Sequence, residues 1–346
     1  MHNRKLFIVL TITFVSVYLL FKAFPGDGEN EGRTQEIVKI TNTLGKSWIL
    51  PDEDTIMMEP LNSTRGTPPP YMLVMVITSP ANQKRRSLLR NQFQTWENMA
   101  KNWNITIKFL FFLGGSNEDE TSMDKLFQEG SQHRDLVIDD FHETYLNLTL
   151  KSCRMLKWVN LRYPSVPLLA KLDDDVYINW DLIFGFLRNK DAPNLIAGSP
   201  FSSAYPVADP TSKFYTPPIV WETGTGYPTY ACGVFYILGK RVRQELYKGA
   251  LSTRLFHMED MFLTGIVRER FLPDVGIQEI KEYISTLHLE GNPWSILYSG
   301  WGPCQFYEGV AVAHSLSVKR LQCFFRIGYF CKNGFVHAVK ILCPKE

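Results

Sequence analysis

Three adjacent carboxylates, Asp173, Asp174 and Asp175, directly follow the apolar run 168–172. Like charges at this spacing repel one another, and a cation between them lowers that repulsion. Mg²⁺ and Mn²⁺ prefer oxygen ligands and share them with substrate phosphates. A solvated acidic turn is the alternative, but a position after a buried strand favours a metal site.

A second acidic pair, Glu259 and Asp260, precedes the apolar run 261–267. Read as plain sequence, it is typical of a helix start, where negative charge interacts well with the helix dipole. His314 follows a short apolar run. A histidine in that position is either structural or a metal ligand. His257 and His288 are weaker candidates for the metal ligand.

Apolar runs alternate along the chain with amphipathic stretches, a pattern typical of an α/β sheet that is partly parallel and covered on both faces. Ligands bind such sheets at the carboxyl ends of the strands, which is where the three aspartates fall. The predicted strands are 71–78, 105–113, 136–138, 168–172, 195–198 and 232–238, and the predicted helices are 85–96, 148–162, 180–189 and 261–267.

The N-terminal part of the chain predicts a membrane anchor. Residues 6–21 carry no charge, follow Arg4 and Lys5, and precede Lys22. A cleaved signal peptide is the alternative, but no small-x-small cleavage site follows. Basic residues before the segment keep the N-terminus cytosolic. We therefore predict a cytosolic tail (1–5), a signal-anchor helix (6–24), an extended spacer or stem (25–70) and a lumenal domain (71–346).

Bulk composition excludes several classes of protein. With 37 basic and 35 acidic residues the formal net charge is +2, so no nucleic-acid partner is expected. The hydrophobic fraction of 45 % excludes a disordered chain.

Six cysteines without zinc-type spacing favour disulfides, whose pairing is left open. Glycosylation sequons begin at Asn62, Asn104 and Asn147.

Four segments in order resemble motifs of the beta-1,3-galactosyltransferase family. They are 140–151, with its Asp, Tyr, Asn-Leu-Thr and Lys, then KLDDDVYIN, YPTYACGVFYIL and MEDMFLTGI. The resemblance covers about 72–325. It implies a GT-A-like, Rossmann-type mixed sheet flanked by helices, in a single-pass type II Golgi membrane enzyme with a lumenal catalytic domain. The chain departs from the family near Arg90, where a Thr-Trp pair follows later, at Thr95 and Trp96.

The resemblance also implies roles for individual residues. Asp260 would be the catalytic base, with Glu259 beside it to orient the acceptor or support the base. Asp175, Asp173 and His314 would hold Mn²⁺ or Mg²⁺. Asn147 would open a helix in the core block, so Asn62 and Asn104 are preferred as glycosylated positions. The residues expected to bind the sugar nucleotide are Arg86, Arg90, Asp140, Asp173, Asp174, Tyr230 and Gly233, with Tyr227 and Tyr230 as sugar-stacking surfaces. The alternatives are core packing for the two tyrosines, a solvated helix surface for the two arginines and a cap on the following segment for Asp173.

The expected function is inverting, metal-dependent transfer of a hexose, galactose first, from a UDP-sugar to the 3-hydroxyl of an acceptor sugar on a glycoprotein or glycolipid. Transfer of N-acetylglucosamine or N-acetylgalactosamine is the alternative within the family. A lumenal glycan-binding or chaperone-like member without turnover is the alternative outside enzymology. Phosphoryl transfer is disfavoured because the sequence has no P-loop.

Overall fold

The computed structural model describes residues 27–60, 68–115, 119–280, 283–285 and 303–334. The predicted anchor at 6–24 and His288 lie outside the described residues, as does the sequon at Asn62. In the part of the chain that is described, no helix combines the length and apolar character needed to cross a membrane.

Strands and helices alternate through most of the chain. The strands are β1 (Ile56–Met58), β2 (Met72–Ile77), β3 (Ile107–Gly114), β4 (Leu136–Asp139), β5 (Leu168–Asp173), β6 (Tyr177–Ile178), β7 (Ile196–Phe201), β8 (Tyr230–Gly239), β9 (Gln278–Glu279), β10 (Tyr283–Ser285) and β11 (Val312–His314). The helices are α1 (Asp27–Asn42), α2 (Gly45–Ile49), α3 (Gln83–Asn102), α4 (Glu120–His133), α5 (Leu148–Arg162), α6 (Trp180–Leu187), α7 (Lys240–Leu251), α8 (Arg268–Phe271), α9 (Pro303–Gly309) and α10 (Val318–Lys332). A π-helical turn, Met261–Val267, leads into α8, and 3₁₀ turns lie at Pro80–Asn82, Tyr145–Asn147 and Ala192–Asn194.

Eight of the described strands form one mixed sheet, in the order β1-β4-β3-β2-β5-β8-β7-β9. The central strands β4, β3, β2 and β5 are parallel, and β8 joins β5 antiparallel. The chain therefore moves outward from β2 to β4 and then returns to place β5 on the other side of β2. Such a reversal opens a crevice at the carboxyl ends of the two strands, where α/β sheets bind ligands.

Both faces of this sheet are covered, because β2 is buried along its whole length and its side chains alternate between two apolar clusters. Val74 and Val76 pack on the side of α3, α6 and α10, where Trp96 and Trp180 lie. Leu73 and Met75 pack with α5, α7 and the π-helical turn on the other side. The mixed α/β architecture predicted from the sequence is confirmed.

The smaller sheet, in the order β10-β11-β6, brings a late segment of the chain to the end of β5. Strand β11 pairs antiparallel with β6, with Ala313 opposite Tyr177. The backbone N–H of Leu316 donates to the carbonyl of Asp175 at 3.1 Å. This pairing places His314 beside the acidic run, although His314 lies 139 positions after Asp175 in the sequence.

The extended spacer predicted for 25–70 is wrong for the described residues 27–60. They form α1, α2 and β1, and β1 pairs with β4 at the edge of the main sheet. Ile37, Ile40 and Ile49 are no more than 1 % exposed. The sequence signal was weak because α1 is polar around most of its circumference, with only a narrow apolar edge that needs the domain to cover it.

Cysteine pairing is confirmed in part. Cys304 and Cys331 form a disulfide that ties α9 to α10, and Cys323 is also disulfide-bonded. Cys153 and Cys232 are buried thiols instead, packed within the main domain. The expectation of disulfides throughout is therefore wrong for these two positions.

Two sequons lie in described segments. Asn104 is exposed and has a left-handed backbone, with φ of 56°. Asn147 lies at the start of α5, but Thr144 caps that turn, and the Asn147 side-chain amide donates to the carbonyl of His142 at 2.9 Å. The amide nitrogen that a glycan would use at Asn147 is thus hydrogen-bonded within the protein.

Candidate active site

The candidate site lies where β2 and β5 end, at the reversal in strand order. Asp174 is buried there and accepts hydrogen bonds from Thr78 Oγ1 at 2.5 Å, Asn82 Nδ2 at 2.9 Å and Arg85 at 3.2 Å. Burial raises the pKa of Asp174, while these donors oppose that rise. The turn after β2 and Arg85 thus engage both Asp174 oxygens. The role of Asp174 in nucleotide binding stays a prediction.

The side chains of Asp173 and Asp175 keep more contact with solvent, at 34 % and 31 % exposed. Burial first, and then the charge of Asp173, raises the pKa of Asp175 to about 6. Arg85 lies 3.6 Å from Asp175 and partly offsets this. A carboxyl group with a raised pKa beside another carboxylate is stabilised in its charged form by a cation.

His314 is 8 % exposed, and its Nδ1 lies 3.0 Å from Ser315 Oγ. Burial lowers its pKa to about 4, which Lys213 reinforces and Asp173 opposes. Its imidazole is therefore neutral at pH 7, the form that binds metal ions. His257, the rival histidine, is buried elsewhere, with Nε2 3.5 Å from Thr216 Oγ1.

In the described part of the chain, no cluster of three or more His, Cys, Asp or Glu side chains is arranged to hold a metal ion by itself. Magnesium and manganese in nucleotide sites usually take one or two protein carboxylates and complete their shell with phosphate oxygens and water. Asp175, with its raised pKa, and the neutral His314 suit that shared type of site.

Asp260 lies at the start of the π-helical turn, and its carboxylate faces β8. One oxygen accepts the Gly233 N–H at 2.9 Å, and the other accepts the Met261 N–H at 2.8 Å. Burial raises the pKa of this carboxyl group. A Cβ at position 233 would stand 3.1–3.3 Å from atoms of Asp260, so glycine permits the close approach. The helix-start interpretation is confirmed, and the same contacts fix the carboxylate in one orientation.

Glu259 is buried beside Asp260 and accepts hydrogen bonds from Tyr236 at 3.1 Å and Ser152 at 3.3 Å. Burial raises its pKa to about 7, against the opposing charge of Lys171, which lies 3.8 Å away. Glu259 therefore titrates near neutral pH.

Sequence reasoning missed Lys171, whose ammonium lies between Asp173 of the acidic run and Glu259 of the acidic pair. Its ammonium donates to Asp173 at 2.8 Å and to the carbonyl of Gly233, and it also lies close to Glu259. Its pKa is raised, because Asp173 and Glu259 outweigh the effect of burial. The available signal was a lysine two residues before Asp173, on the same face of an otherwise apolar strand.

The arginines predicted to bind a diphosphate are occupied by the protein. Arg86 is fully buried and binds both oxygens of Glu129 at 2.8 Å. Arg90 binds Asp135 at 2.7 and 2.9 Å and Glu129 at 2.7 Å. The prediction for both residues is corrected, because buried charges of this kind need their partners. Arg85, which the sequence did not single out, faces the aspartates instead.

Asp140 is exposed at the end of β4, and its backbone N–H donates to the Thr55 carbonyl. Strand β4 is three strand positions from β5, roughly 14 Å at about 4.8 Å per strand. The role of Asp140 in nucleotide binding stays a prediction.

The two tyrosines predicted as sugar-stacking surfaces differ in placement. Tyr230 is half-buried and stacks on Phe201, with ring centroids 5.5 Å apart. Burial and then the Asp260 charge raise the pKa of its hydroxyl. Tyr227 is buried against Trp221 and donates to Thr216. Tyr227 therefore serves core packing, whereas Tyr230 lies near the acidic pair.

The pKa of Glu259 predicts a pH-dependent stability. Its folded pKa of about 7 exceeds the ordinary value of 4.5, so the folded protein binds more protons between these values and the free energy of unfolding falls as pH rises. Glu259→Gln has no titrating carboxyl group at this position, so it lacks this loss of stability at higher pH. We expect the free energy of unfolding of the variant, relative to that of wild type, to rise by more than about 1 kcal/mol from pH 5 to pH 8.

Urea unfolding of both proteins at the two pH values measures this gain. The shared contributions of histidines and other carboxyls cancel in the difference between them. The exposed Glu36→Gln substitution on α1 is the control and should show no pH-dependent gain. If the free energies of unfolding of Glu259→Gln and wild type differed by the same amount at pH 5 and pH 8, the raised pKa of Glu259 would be contradicted.

A mixed sheet with a reversal in strand order, an acidic turn at that reversal and a second fixed carboxylate form a crevice of the kind in which α/β sheets bind ligands. The galactosyltransferase family model matches residues 84–281. The chain belongs to that family.

Curated relatives carry related names. A rat protein named UDP-GlcNAc:betaGal beta-1,3-N-acetylglucosaminyltransferase 7 is 30 % identical over 251 residues, covering 71 % of this chain and 61 % of its own length. Human beta-1,3-galactosyltransferase 2 is 26 % identical, covering 73 % and 57 %. Mouse beta-1,3-galactosyltransferase 1 is 28 % identical, covering 73 % and 72 %. The chain thus spans about three fifths of the rat protein's length.

Proposed function

We propose that this chain is a β-1,3-glycosyltransferase that transfers a hexose, galactose first, from a UDP-sugar to the 3-hydroxyl of an acceptor sugar on a glycoprotein or glycolipid. The observation that carries the proposal is the Asp260 carboxylate. Two backbone N–H groups fix it, and Lys171 joins its neighbour Glu259 to Asp173 at the end of β5.

The proposed reaction is a single displacement with inversion at the sugar carbon. The acceptor hydroxyl needs a base as it attacks, because its own pKa is high. Asp260 takes that proton, and its burial, which raises its pKa, makes it a better base than an exposed carboxylate. Glu259 supports the acceptor side, and the leaving group departs as UDP toward Asp173 and Asp175.

A divalent cation, Mn²⁺ or Mg²⁺, would be held by Asp175 with His314 and Asp173, and it would neutralise charge on the departing diphosphate. The neutral imidazole of His314 and the raised pKa of Asp175 support this assignment.

The identity of the donor sugar is tested by UDP release. The full chain is assayed with UDP-galactose, UDP-N-acetylglucosamine and UDP-N-acetylgalactosamine, each with acceptors ending in galactose, N-acetylglucosamine or N-acetylgalactosamine. We expect acceptor-dependent release with UDP-galactose. UDP release only with an N-acetylated donor would instead assign transfer of N-acetylglucosamine or N-acetylgalactosamine. The name of the rat relative favours N-acetylglucosamine.

A non-catalytic glycan-binding or chaperone-like role is the alternative outside enzymology. Metal-dependent UDP binding without release from any donor would favour it. The retained Asp175, Glu259, Asp260 and His314 argue against it, because a binding protein needs no fixed base.

The metal assignment predicts a large loss on removal of Asp175. Asp175→Ala is expected to lower kcat by at least about 100-fold, as is typical for loss of a group that stabilises transition-state charge. Excess EDTA should abolish UDP release, and added Mn²⁺ should restore it. The exposed Asp124→Ala on α4 is the control. Activity that survives both EDTA and Asp175→Ala would refute the metal site.

We also propose a single-pass type II Golgi membrane location, with the predicted anchor at 6–24 and the domain in the lumen. The disulfide Cys304–Cys331 supports an oxidising compartment. Protease protection of the domain in intact Golgi vesicles, lost on detergent addition, is the expected result. Digestion without detergent would contradict it.

A further inference from the structure

A third arginine of α3, Arg85, contacts the acidic run itself. Its Nη1 lies 3.2 Å from Asp174 Oδ1 and 3.6 Å from Asp175 Oδ2. The neighbouring Arg86 and Arg90 are paired with acidic side chains elsewhere in the fold. Arg85 is therefore the arginine of this helix whose charge acts directly on the candidate site.

The Arg85 guanidinium keeps part of its hydrogen-bonding capacity. Its side chain is 26 % exposed. The hydrogen bond to Asp174 uses Nη1, and among the described residues Nε and Nη2 donate none. A guanidinium presents five N–H donors in a planar fork, which matches two oxygens of a phosphate. Arg85 can thus contact the acidic run and still bind a phosphate group.

The start of α3 adds a favourable position for an anion beside Arg85. The first turn of this helix has no acidic residue, and the side chain of Asn82 does not cap it. Asn82 donates to Asp174 instead, at 2.9 Å. The 3₁₀ turn Pro80–Asn82 leads from the end of β2 into the helix. The helix N-terminus, with its partial positive charge, therefore lies at the same edge of the sheet as the acidic run.

Arg85 and a divalent cation would share Asp175. Because Mg²⁺ lies about 2.1 Å from a carboxylate oxygen, such an ion on Asp175 Oδ2 would stand within about 6 Å of the Arg85 guanidinium. Two positive charges this close repel each other where water is partly excluded. On the other side of the run, Lys171 already pairs with Asp173 at 2.8 Å. Arg85 and the ion should therefore weaken each other's binding to Asp175.

We infer that Arg85 couples binding of the divalent cation to binding of the nucleotide-sugar donor, because it competes with the cation for Asp175 until the diphosphate offers it a second partner. The inference rests on the proposed function for its donor and its cation. A diphosphate carries negative charge, so between the two positive groups it replaces their repulsion by a shared attraction. The coupling is reciprocal, since each ligand must favour the other by the same factor.

The test uses the full chain, with Mn²⁺ alone and then UDP as the probes. Electron paramagnetic resonance of the free ion gives the Kd of Mn²⁺, and calorimetric titration gives the Kd of UDP at saturating Mn²⁺. Arg85→Ala should lower the Kd of Mn²⁺ alone by about three-fold or more, because a competing charge is gone. The same variant should raise the Kd of UDP about ten-fold, since a charge-assisted contact with phosphate is lost.

The opposite signs of these two effects distinguish coupling from a structural defect, which would weaken both kinds of binding. Asp174 keeps Thr78 and Asn82 as donors, so the turn should stay folded in Arg85→Ala. Arg85→Lys keeps the charge but not the planar fork. It should bind Mn²⁺ as wild type does and recover only part of the UDP affinity. Lys101→Ala removes an exposed charge at the other end of α3 and should match wild type in both measurements.

The outcomes separate the role of Arg85 from the proposed function. Unchanged or weaker Mn²⁺ binding in Arg85→Ala, or an unchanged Kd of UDP, would overturn the inference. A wild-type chain that binds no Mn²⁺ would refute the metal assignment and the inference together. The two expected shifts without any sugar transfer by wild type would uphold the inference and refute only the proposed transfer.

Discussion

Asp260→Asn is expected to lower kcat by about 10²–10⁴-fold, the range typical for removal of a general base. The amide cannot accept the proton of the acceptor hydroxyl, whereas the size of the side chain is unchanged. The Kd of UDP should change little, because Asp260 belongs to the acceptor side of the proposed reaction. Single-turnover transfer and UDP titration measure the two quantities separately.

The controls for this substitution address its structural cost. Asp260 accepts two backbone N–H groups, and an amide oxygen satisfies one of them, so a loss of about 1 kcal/mol in stability is expected. Thermal unfolding shows whether the variant remains folded at the assay temperature. Asp274→Asn, at a carboxylate 67 % exposed, should keep wild-type kcat. Full activity in Asp260→Asn would refute the base assignment.

Removal of residues 1–70 is expected to destabilise the remaining domain severely. Burial of an isoleucine side chain is worth about 1.5–3 kcal/mol, and Ile37, Ile40 and Ile49 are all buried. Their combined loss is comparable with the whole stability of many domains, about 5–15 kcal/mol. A chain beginning at residue 27 should unfold at a distinctly higher temperature than one beginning at residue 71. Equal unfolding temperatures would show that residues 27–60 are a spacer after all.

Substitutions at two glycines test the packing of residues 27–60 on the domain without truncation. A Cβ at Gly45 would stand 1.9 Å from the Ala250 carbonyl oxygen, so Gly45→Ala must displace α2 from α7. At Gly32, within α1, a Cβ meets no atom within 4 Å. Gly45→Ala should therefore lower the unfolding temperature, whereas Gly32→Ala should leave it unchanged or raise it, since alanine favours a helix by about 1 kcal/mol over glycine.

The sequence predicted the central elements well because their signals are local. The apolar runs that become β2, β3 and β5 are buried on both faces, so they carry nearly uninterrupted apolar residues. Helix α5 has the predicted bounds, Leu148–Arg162. The sequence also correctly predicted that the acidic run lies at the end of a strand. The candidate site was therefore expected at the carboxyl edge of the sheet.

The sequence could not show how the charges pair, because the partners are remote. Glu129 lies 43 residues from Arg86, and that contact removes the guanidinium from the nucleotide site. Three identical aspartates likewise give no sign that Asp174 turns inward to Thr78 while its neighbours stay more exposed. Only the tertiary structure distinguishes these cases.

Docking of the N-terminal segment was missed for a related reason. Ile37 and Ile40 form a short apolar edge on a polar helix, a pattern equally typical of an exposed spacer. Arg33 of α1 donates hydrogen bonds to the backbone carbonyls of Pro210 and Lys213, and contacts to backbone carbonyls leave no mark in the sequence.

We propose that Asp260, held in one orientation, acts as the base in inverting transfer of a sugar from UDP to a 3-hydroxyl. The most direct test of this proposal is the structure of the product formed by the full chain from UDP-galactose and a glycan acceptor, determined by NMR. We predict a new β-1,3 linkage, formed by wild type and lost in Asp260→Asn. A product with retained α configuration, or one formed equally by Asp260→Asn, would contradict the account.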